Sequence, residues 1–337
     1  MPPSGNHAVL AATSPLRDNH GREINYLRLA VTDRCNLRCQ YCMPEGGVDF
    51  VEHREILTLE ELLRVARVFA AMGVGKVRIT GGEPFARRDI MVLIRELAAT
   101  RGIDRLHITT NGVAAAEHLP ELKALGIAGI NLSLDTLDPR RFWAITRRDA
   151  LPQVLQTLET TLALAIPLKI NTVVLDTTPD TDILAIAALA RTTALTVRFI
   201  ERMPFSGGNS GRGGSPVLRQ RLMTLFPGLE PEPTSAATTA RLFTLTGFAG
   251  RIGLIEGYSR TFCRTCNKVR LTPKGMLKTC LYDDGVLDLK GMIRAGASDA
   301  AIAAAVAAAL RRRFVDGHQA EGACRGGDEP SMASIGG

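Results

Sequence analysis

Aromatic side chains are scarce in this chain of 337 residues: 5% of the whole, with one Trp and four Tyr. Basic residues do not interleave with them, so there is no stacking platform of the kind a nucleic acid strand needs. No uninterrupted apolar run reaches the ~18 residues of a membrane-spanning helix. Residues 1–22 lack the charged-then-apolar order of a signal peptide, and the chain is expected in the reducing cytoplasm, with neither nucleic acid nor membrane as partner. Only 22% of residues are charged against 45% hydrophobic, a globular composition. The net charge of +7, with a pI near 9.2, calls for an anionic partner. With so few aromatics, a small polyphosphate fits that demand better than a strand does.

What the sequence does have is clustered cysteine. Six of the seven fall in two sets, Cys35, Cys39 and Cys42, then Cys263, Cys266 and Cys280, with Cys324 left over. An odd, clustered set reads as metal ligation rather than a disulfide framework. The first set, spaced x3 and x2, follows the strand-like run 26–31. Three thiolates so close can hold three corners of a cubane iron-sulfur cluster and leave the fourth iron open to a small molecule. A zinc site or reduced structural thiols are the alternatives, although zinc ordinarily takes four protein ligands. The second set offers a further open cluster, or a zinc site completed by Cys324 or a histidine.

Apolar or β-branched runs at 26–31, 75–80, 105–109, 129–134, 167–175 and 195–200 predict strands separated by helical patterns. One helix opens on a capping box, Thr58 with Glu61, and closes at Gly73; another starts at Asp138-Pro139. The alternation predicts an α/β fold, a partial (βα)6 TIM-like barrel. Further strand-like runs at 241–246, 251–256, 267–271 and 276–281 predict a small antiparallel module, followed by an Ala-rich helix over 298–313. The division expected is a flexible arm over 1–22, the barrel over 23–224, a C-terminal α+β module with the second cysteine set over 225–322, and a tail over 323–337 ending in Gly-Gly. Arg311, Arg312 and Arg313 read as dipole complements on a solvated face.

Polar residues gather just after the predicted strands, where active sites of parallel α/β folds collect. Gly81-Gly82-Glu83-Pro84 follows the second, Thr110-Asn111-Gly112 the third, Ser133 and Asp135 end the fourth, and Glu201 and Met203 follow the sixth. Cations accompany them: Arg28, Lys76, Arg78, Lys169, Arg198, Lys268 and Arg270. Side chains alternate along a strand, so Lys76 shares a face with Arg78, and Lys268 with Arg270. On inward-facing strands such cations need an anion, which a triphosphate would supply.

The first cysteine set, with Tyr41 before its last member, resembles the radical S-adenosylmethionine superfamily. Together with Arg78-Ile79-Thr80-Gly81-Gly82-Glu83-Pro84, Thr109-Thr110-Asn111-Gly112, Ser133-Leu134-Asp135, Arg198-Phe199-Ile200-Glu201, Cys263-x2-Cys266-Asn267 and the terminal Gly336-Gly337, it is similar to the GTP 3',8-cyclase family of molybdenum cofactor biosynthesis. The likeness runs from about residue 25 to the end.

That resemblance implies two 4Fe-4S clusters, on Cys35, Cys39 and Cys42 and on Cys263, Cys266 and Cys280. S-adenosylmethionine would be held by the first, near Tyr41, Gly82, Glu83, Ser133 and Met203. GTP would contact Arg28, Lys76, Arg78, Thr109, Lys169, Arg198, Lys268, Val269 and Arg270, with Arg28, Arg270, Gly336 and Gly337 in catalytic roles. It further implies an electron donor such as flavodoxin or ferredoxin, cyclic pyranopterin monophosphate synthase as the next enzyme, and a homodimer. One departure stands out: Lys268 occupies a position where the family usually has Arg, keeping the charge without the bidentate fork. The runner-up is a radical enzyme that modifies a peptide with the help of an auxiliary cluster. A non-enzymatic metal-binding regulator of nucleic acid is a third reading.

Overall fold

The computed structural model describes residues 15–43, 50–203, 216–233, 238–323 and 332–335. The glycine-rich stretch 206–215, Cys324, Gly336 and Gly337 lie outside these. The first six strands are β1 (Tyr26–Ala30), β2 (Lys76–Thr80), β3 (Arg105–Thr110), β4 (Gly129–Ser133), β5 (Leu168–Val174) and β6 (Thr196–Glu201). After them come β7 (Glu230–Pro231), β8 (Arg241–Thr244), β9 (Arg251–Ile255), β10 (Lys268–Leu271), β11 (Met276–Lys278) and β12 (Leu287–Asp288).

All twelve belong to one open sheet, ordered β12-β11-β10-β1-β2-β3-β4-β5-β6-β9-β8-β7. The six N-terminal strands form the parallel centre, each paired with the next. Here the expectation of a separate antiparallel module is corrected. The C-terminal strands divide between the two edges of the sheet: β10 pairs parallel with β1 and β9 parallel with β6, each followed outward by an antiparallel partner. The reason lies in matched alternation. Val269 and Leu271 continue the fully buried outer row of Leu27 and Leu29, while Arg270 falls in register with Arg28.

Helices cover the outer face of the centre. Leu59–Ala71 begins at the expected capping box, in which Glu61 N–H donates to Thr58 Oγ1 at 3.2 Å and Thr58 N–H to Glu61 Oε2 at 2.8 Å. Leu62, Val65, Ala66 and Phe69 of that helix are buried in the same core as Leu27, Leu29 and Ile79. Asp138 caps Pro139–Thr146 by accepting from Arg141 N–H at 2.8 Å. With one row of each strand committed to this core, the opposite row faces the concave side of the sheet.

Two terminal expectations change. The arm is tied down over its described part: Asp18 is buried, Ile24 N–H donates to Leu16 O, and Asn19 N–H reaches Leu310 O. The Ala-rich helix is Asp299–Leu310, and of the three arginines after it Arg311 and Arg312 are exposed as expected. Arg313 is only 4% exposed, so it does not lie on a solvated face.

Candidate active site

The concave side encloses a cavity of about 400 Å³, within the size range of small-ligand sites. Both cysteine sets line it, and so do all seven cations expected to face inward. Parallel register explains the gathering. Arg270, Arg28, Arg78 and His107 are neighbours on four consecutive strands, Asn131 stands beside Lys169, and Asn171 beside Arg198.

Burial and mutual repulsion shape this basic wall. Burial first, then Arg78 and Lys169, brings the Lys76 ammonium down to about 7, and burial followed by Arg198 and Arg78 brings Lys169 down to about 8. Arg198 falls to about 9 from burial and the nearby Arg78, and its Nε and Nη2, like Nε of Arg78, have no hydrogen-bond partner among the described residues. Burial and the surrounding cations hold His107 down to about 3, so this imidazole is neutral. Tyr26, which belongs to no motif, sits among them: Lys76 Nζ is 4.5 Å from its ring centre, Arg78 5.5 Å and Lys268 5.6 Å. Its position, two residues before Arg28 on the same strand row, was the available signal. Concentrated buried positive charge with unfilled donors is an arrangement that a polyanion completes.

Around the first cysteines, Cys35 Sγ accepts from Leu37 N–H at 3.4 Å and from Asn111 Nδ2 at 3.5 Å. Burial pushes the Cys39 thiol well up, helped by Asp135 and by its neighbours Cys42 and Cys35, so the three sulfurs feel one another. Tyr41 does line the cavity, and its hydroxyl donates to Asp135 Oδ2 at 2.8 Å. Asp135 also accepts from Val173 N–H at 2.8 Å, and burial holds its carboxyl up at about 6. Gly82 must be glycine: a Cβ there would collide with the carbonyls of Arg34 and Asp33, the loop carrying the cysteines.

Glu83 stands apart from the expected cofactor contacts. It is fully buried and does not line the cavity; its oxygens take Thr110 Oγ1 at 2.7 Å, Asn111 N–H at 2.6 Å and Phe85 N–H at 3.1 Å. It therefore fastens two strand-end loops together. Val269 is likewise turned away, its side chain fully buried in the outer core. Thr109, Ser133 and Met203 line the cavity as expected.

Around the second set, Cys266 Sγ accepts from Arg313 Nη2 at 3.2 Å. Burial raises this thiol, but Arg313 and Lys268 outweigh it and the net shift is downward. Cys280 is pushed by burial up to about 11, and Asp283, Cys266 and Cys263 add to the rise. Asp283 holds the Cys280 turn by accepting from Thr279 N–H at 2.9 Å and Cys280 N–H at 2.7 Å. Among the described residues no three Cys, His, Asp or Glu side chains close on a point for a single ion. A cubane binds thiolates at its outer corners and is wider than one ion, and hydrogen bonds to sulfur are among its supports. Both sets fit such a group.

A concave parallel sheet with a C-x3-C-x2-C loop at the carboxyl end of its first strand defines a class, and residues 29–190 match the Radical SAM superfamily model. Residues 195–318 match Molybdenum Cofactor Synthesis C. GTP 3',8-cyclase of Moorella thermoacetica is 42% identical over 312 residues, 91% of this chain and 96% of that protein. Molybdenum cofactor biosynthesis protein 1 of Bos taurus is 40% identical over 92% of this chain, which spans about half, 49%, of that relative. Streptococcus suis SuiB, solved with S-adenosylmethionine, shares the fold at 15% identity and a TM-score of 0.59, over 78% of this chain and 61% of its own. The chain belongs to the GTP 3',8-cyclase family of radical S-adenosylmethionine enzymes. Membership brings an iron-sulfur cluster and S-adenosylmethionine as cofactors, and favours the cyclase reading over peptide modification. No helix among the described residues is long and apolar enough to cross a membrane.

Proposed function

We propose that this chain is a lyase converting GTP to 3',8-cyclo-7,8-dihydroguanosine 5'-triphosphate, the first step of molybdenum cofactor biosynthesis, in the cytoplasm. The observation that carries this reading is one cavity lined at once by two cysteine triads and the seven strand-borne cations. When bound to Cys35, Cys39 and Cys42, a 4Fe-4S cluster supplies the electron that cleaves S-adenosylmethionine to a 5'-deoxyadenosyl radical. Tyr41, Gly82, Ser133 and Met203 hold that cofactor, and Glu83 acts behind them by locking the loop.

The radical takes the 3' hydrogen of GTP, and the resulting carbon radical bonds to C8 of guanine. One electron and one proton then complete the product. Lys76, Arg78, Lys169, Arg198 and Lys268 bind the triphosphate, Thr109 and the Val269 backbone complete the pocket, and Arg28 and Arg270 act at the reacting end. Cys263, Cys266 and Cys280 would hold a second 4Fe-4S cluster, whose open iron would supply a binding point for the guanine. The wall must exclude water, because a primary carbon radical is unselective.

Gly336 and Gly337 lie outside the described residues, and a catalytic role for them is part of this reading. Support comes from the residues just before them: Met332 lines the cavity, and Ile335, 2% exposed, packs with Tyr282 and Ala320. Flavodoxin or ferredoxin as electron donor, cyclic pyranopterin monophosphate synthase as next enzyme and a homodimer complete the reading.

The test is an anaerobic assay with dithionite, S-adenosylmethionine and GTP as sole substrate. It is expected to yield 5'-deoxyadenosine and cyclised GTP together. Formation of 5'-deoxyadenosine with no cyclised nucleotide, across a panel of nucleotides, overturns the substrate.

A further inference from the structure

Three charged side chains outside the cavity meet behind the second cysteine set. Asp18 Oδ2 accepts from Arg22 Nε at 2.6 Å and from Arg313 Nη1 at 3.1 Å, with the Asp18 and Arg313 side chains 0% and 3% exposed and that of Arg22 9%. Burial pushes the Asp18 carboxyl up, but hydrogen bonds from the Arg22 side chain and from backbone N–H groups outweigh it, and the carboxyl stays below its usual range. A buried charge cluster of this kind persists where its remaining donors are also used.

Here most of the remaining donors go to segments that carry a cysteine. Arg22 Nη1 donates to the carbonyl of Cys263 at 2.9 Å. Arg313 Nη1 donates to the carbonyl of Cys266 at 2.9 Å, and its Nη2 to Cys266 Sγ at 3.2 Å and to Lys268 O at 2.9 Å. Arg313 Nε donates to Thr279 O at 2.9 Å, the residue before Cys280. Arg22 also binds the carbonyls of Phe314 and Val315, so the chain after the Ala-rich helix is fastened to the same point.

From this geometry we infer that Asp18, Arg22 and Arg313 form a clamp that pre-arranges the second cysteine triad, and that Arg313 sets the reduction potential of the cluster held there through its bond to Cys266 sulfur. These are positioning residues; none of the three lines the cavity. The inference rests on the reading that Cys263, Cys266 and Cys280 hold a cluster. A donor to a ligating sulfur stabilises the more negative, reduced cluster, so its loss moves the potential to more negative values.

The experiment is anaerobic reconstitution of the full chain and of Arg313→Gln, Arg313→Lys and Asp18→Asn, followed by iron analysis and a redox titration read by electron paramagnetic resonance. Wild type is expected to take about eight irons. Arg313→Gln is expected either to fall toward about four, or to keep both clusters with the second shifted to a more negative potential. Arg313→Lys, which restores a single cationic donor, should recover part of the shift. The change that S-adenosylmethionine makes in the first cluster's signal should persist in every variant, which also shows that the barrel is folded.

About four irons in wild type overturns the second cluster itself. A wild type with both clusters, matched by an Arg313→Gln with the same iron and the same potential, overturns the clamp alone. Should Arg313→Gln lose both clusters through misfolding, Asp18→Asn decides by the same two readouts, because it leaves the sulfur's donor in place and removes only the charge that aims it. An unchanged Asp18→Asn then overturns the inference.

Discussion

Lys76 Nζ lies over the Tyr26 ring at 4.5 Å, and among the described residues no carboxylate stands at ion-pair distance from it. The ring face partly substitutes for the lost water, yet burial and the cations around Lys76 still bring its ammonium down to about 7. The lysine is therefore half neutral near physiological pH until an anion arrives.

Proton uptake on GTP binding follows. Lys76 at about 7 and Lys169 at about 8 lie below the unfolded value of 10.5, so the unliganded fold gains stability as pH rises from 7 toward 10. A triphosphate reverses this by recharging both lysines. Calorimetry at pH 8 in buffers of different ionisation enthalpy should show uptake of about one proton or more per GTP, and Kd should rise between pH 7 and pH 9. Affinity independent of pH with no proton uptake would contradict it.

Arg198→Ala should separate stability from binding. Two of its nitrogens are buried without a partner among the described residues, so removing them relieves a desolvation cost, and the melting temperature of the unliganded protein should stay level or rise. GTP should then bind about thirtyfold more weakly, the loss of one charge-assisted contact worth about 2 kcal/mol. Thermal shift with and without GTP checks both signs.

Glu83→Ala should unfasten the loops after β2 and β3. Three donors lose their acceptor, for a cost of about 3 kcal/mol or more. Burial holds Glu83 up at about 7, opposed by Asn111 N–H and Thr110, so the stability tied to its proton is complete below 4.5 and lost as pH rises through 7. Denaturant unfolding of wild type and Glu83→Gln from pH 4.5 to 7.5 should show wild type losing ground to the variant as pH rises. A constant difference would show that Glu83 does not titrate in the fold.

Gly82→Ala should abolish S-adenosylmethionine cleavage through backbone collision, with Gly322→Ala as the contrast. At Gly82 the added carbon meets the Arg34 and Asp33 carbonyls; at Gly322, in a helix, no atom of the described residues lies within 4 Å. Gly322→Ala should gain about 0.5 kcal/mol in stability. Release of 5'-deoxyadenosine is the measurement for both.

Ile335→Asp should loosen the tail from Tyr282 and Ala320. The expected result is retained 5'-deoxyadenosine release with cyclised GTP reduced about tenfold or more, on the cost of burying an unpaired carboxylate. Equal loss of both products would place Ile335 in general stability instead.

Much of the site is legible in the sequence. Cys35, Cys39 and Cys42, the capping box at Thr58 and Glu61, and the inward rows of Lys76 with Arg78 and Lys268 with Arg270 are all local patterns, fixed by spacing and by the period of a strand or helix. The inward turn of the cations followed because their neighbours in sequence, Val77, Ile79 and Val269, had to be buried on the other face.

Tertiary structure decided what spacing cannot encode. It split the C-terminal strands between the two edges of one sheet, and it turned the Glu83 carboxylate inward onto Asn111, 28 positions away. It buried Arg313, which reads as a solvated helix end, by pairing it with Asp18 at a separation of 295 residues. A charge is stable inside a protein only when a counter-charge and hydrogen-bond partners meet it there, and those partners are set by folding rather than by sequence neighbours.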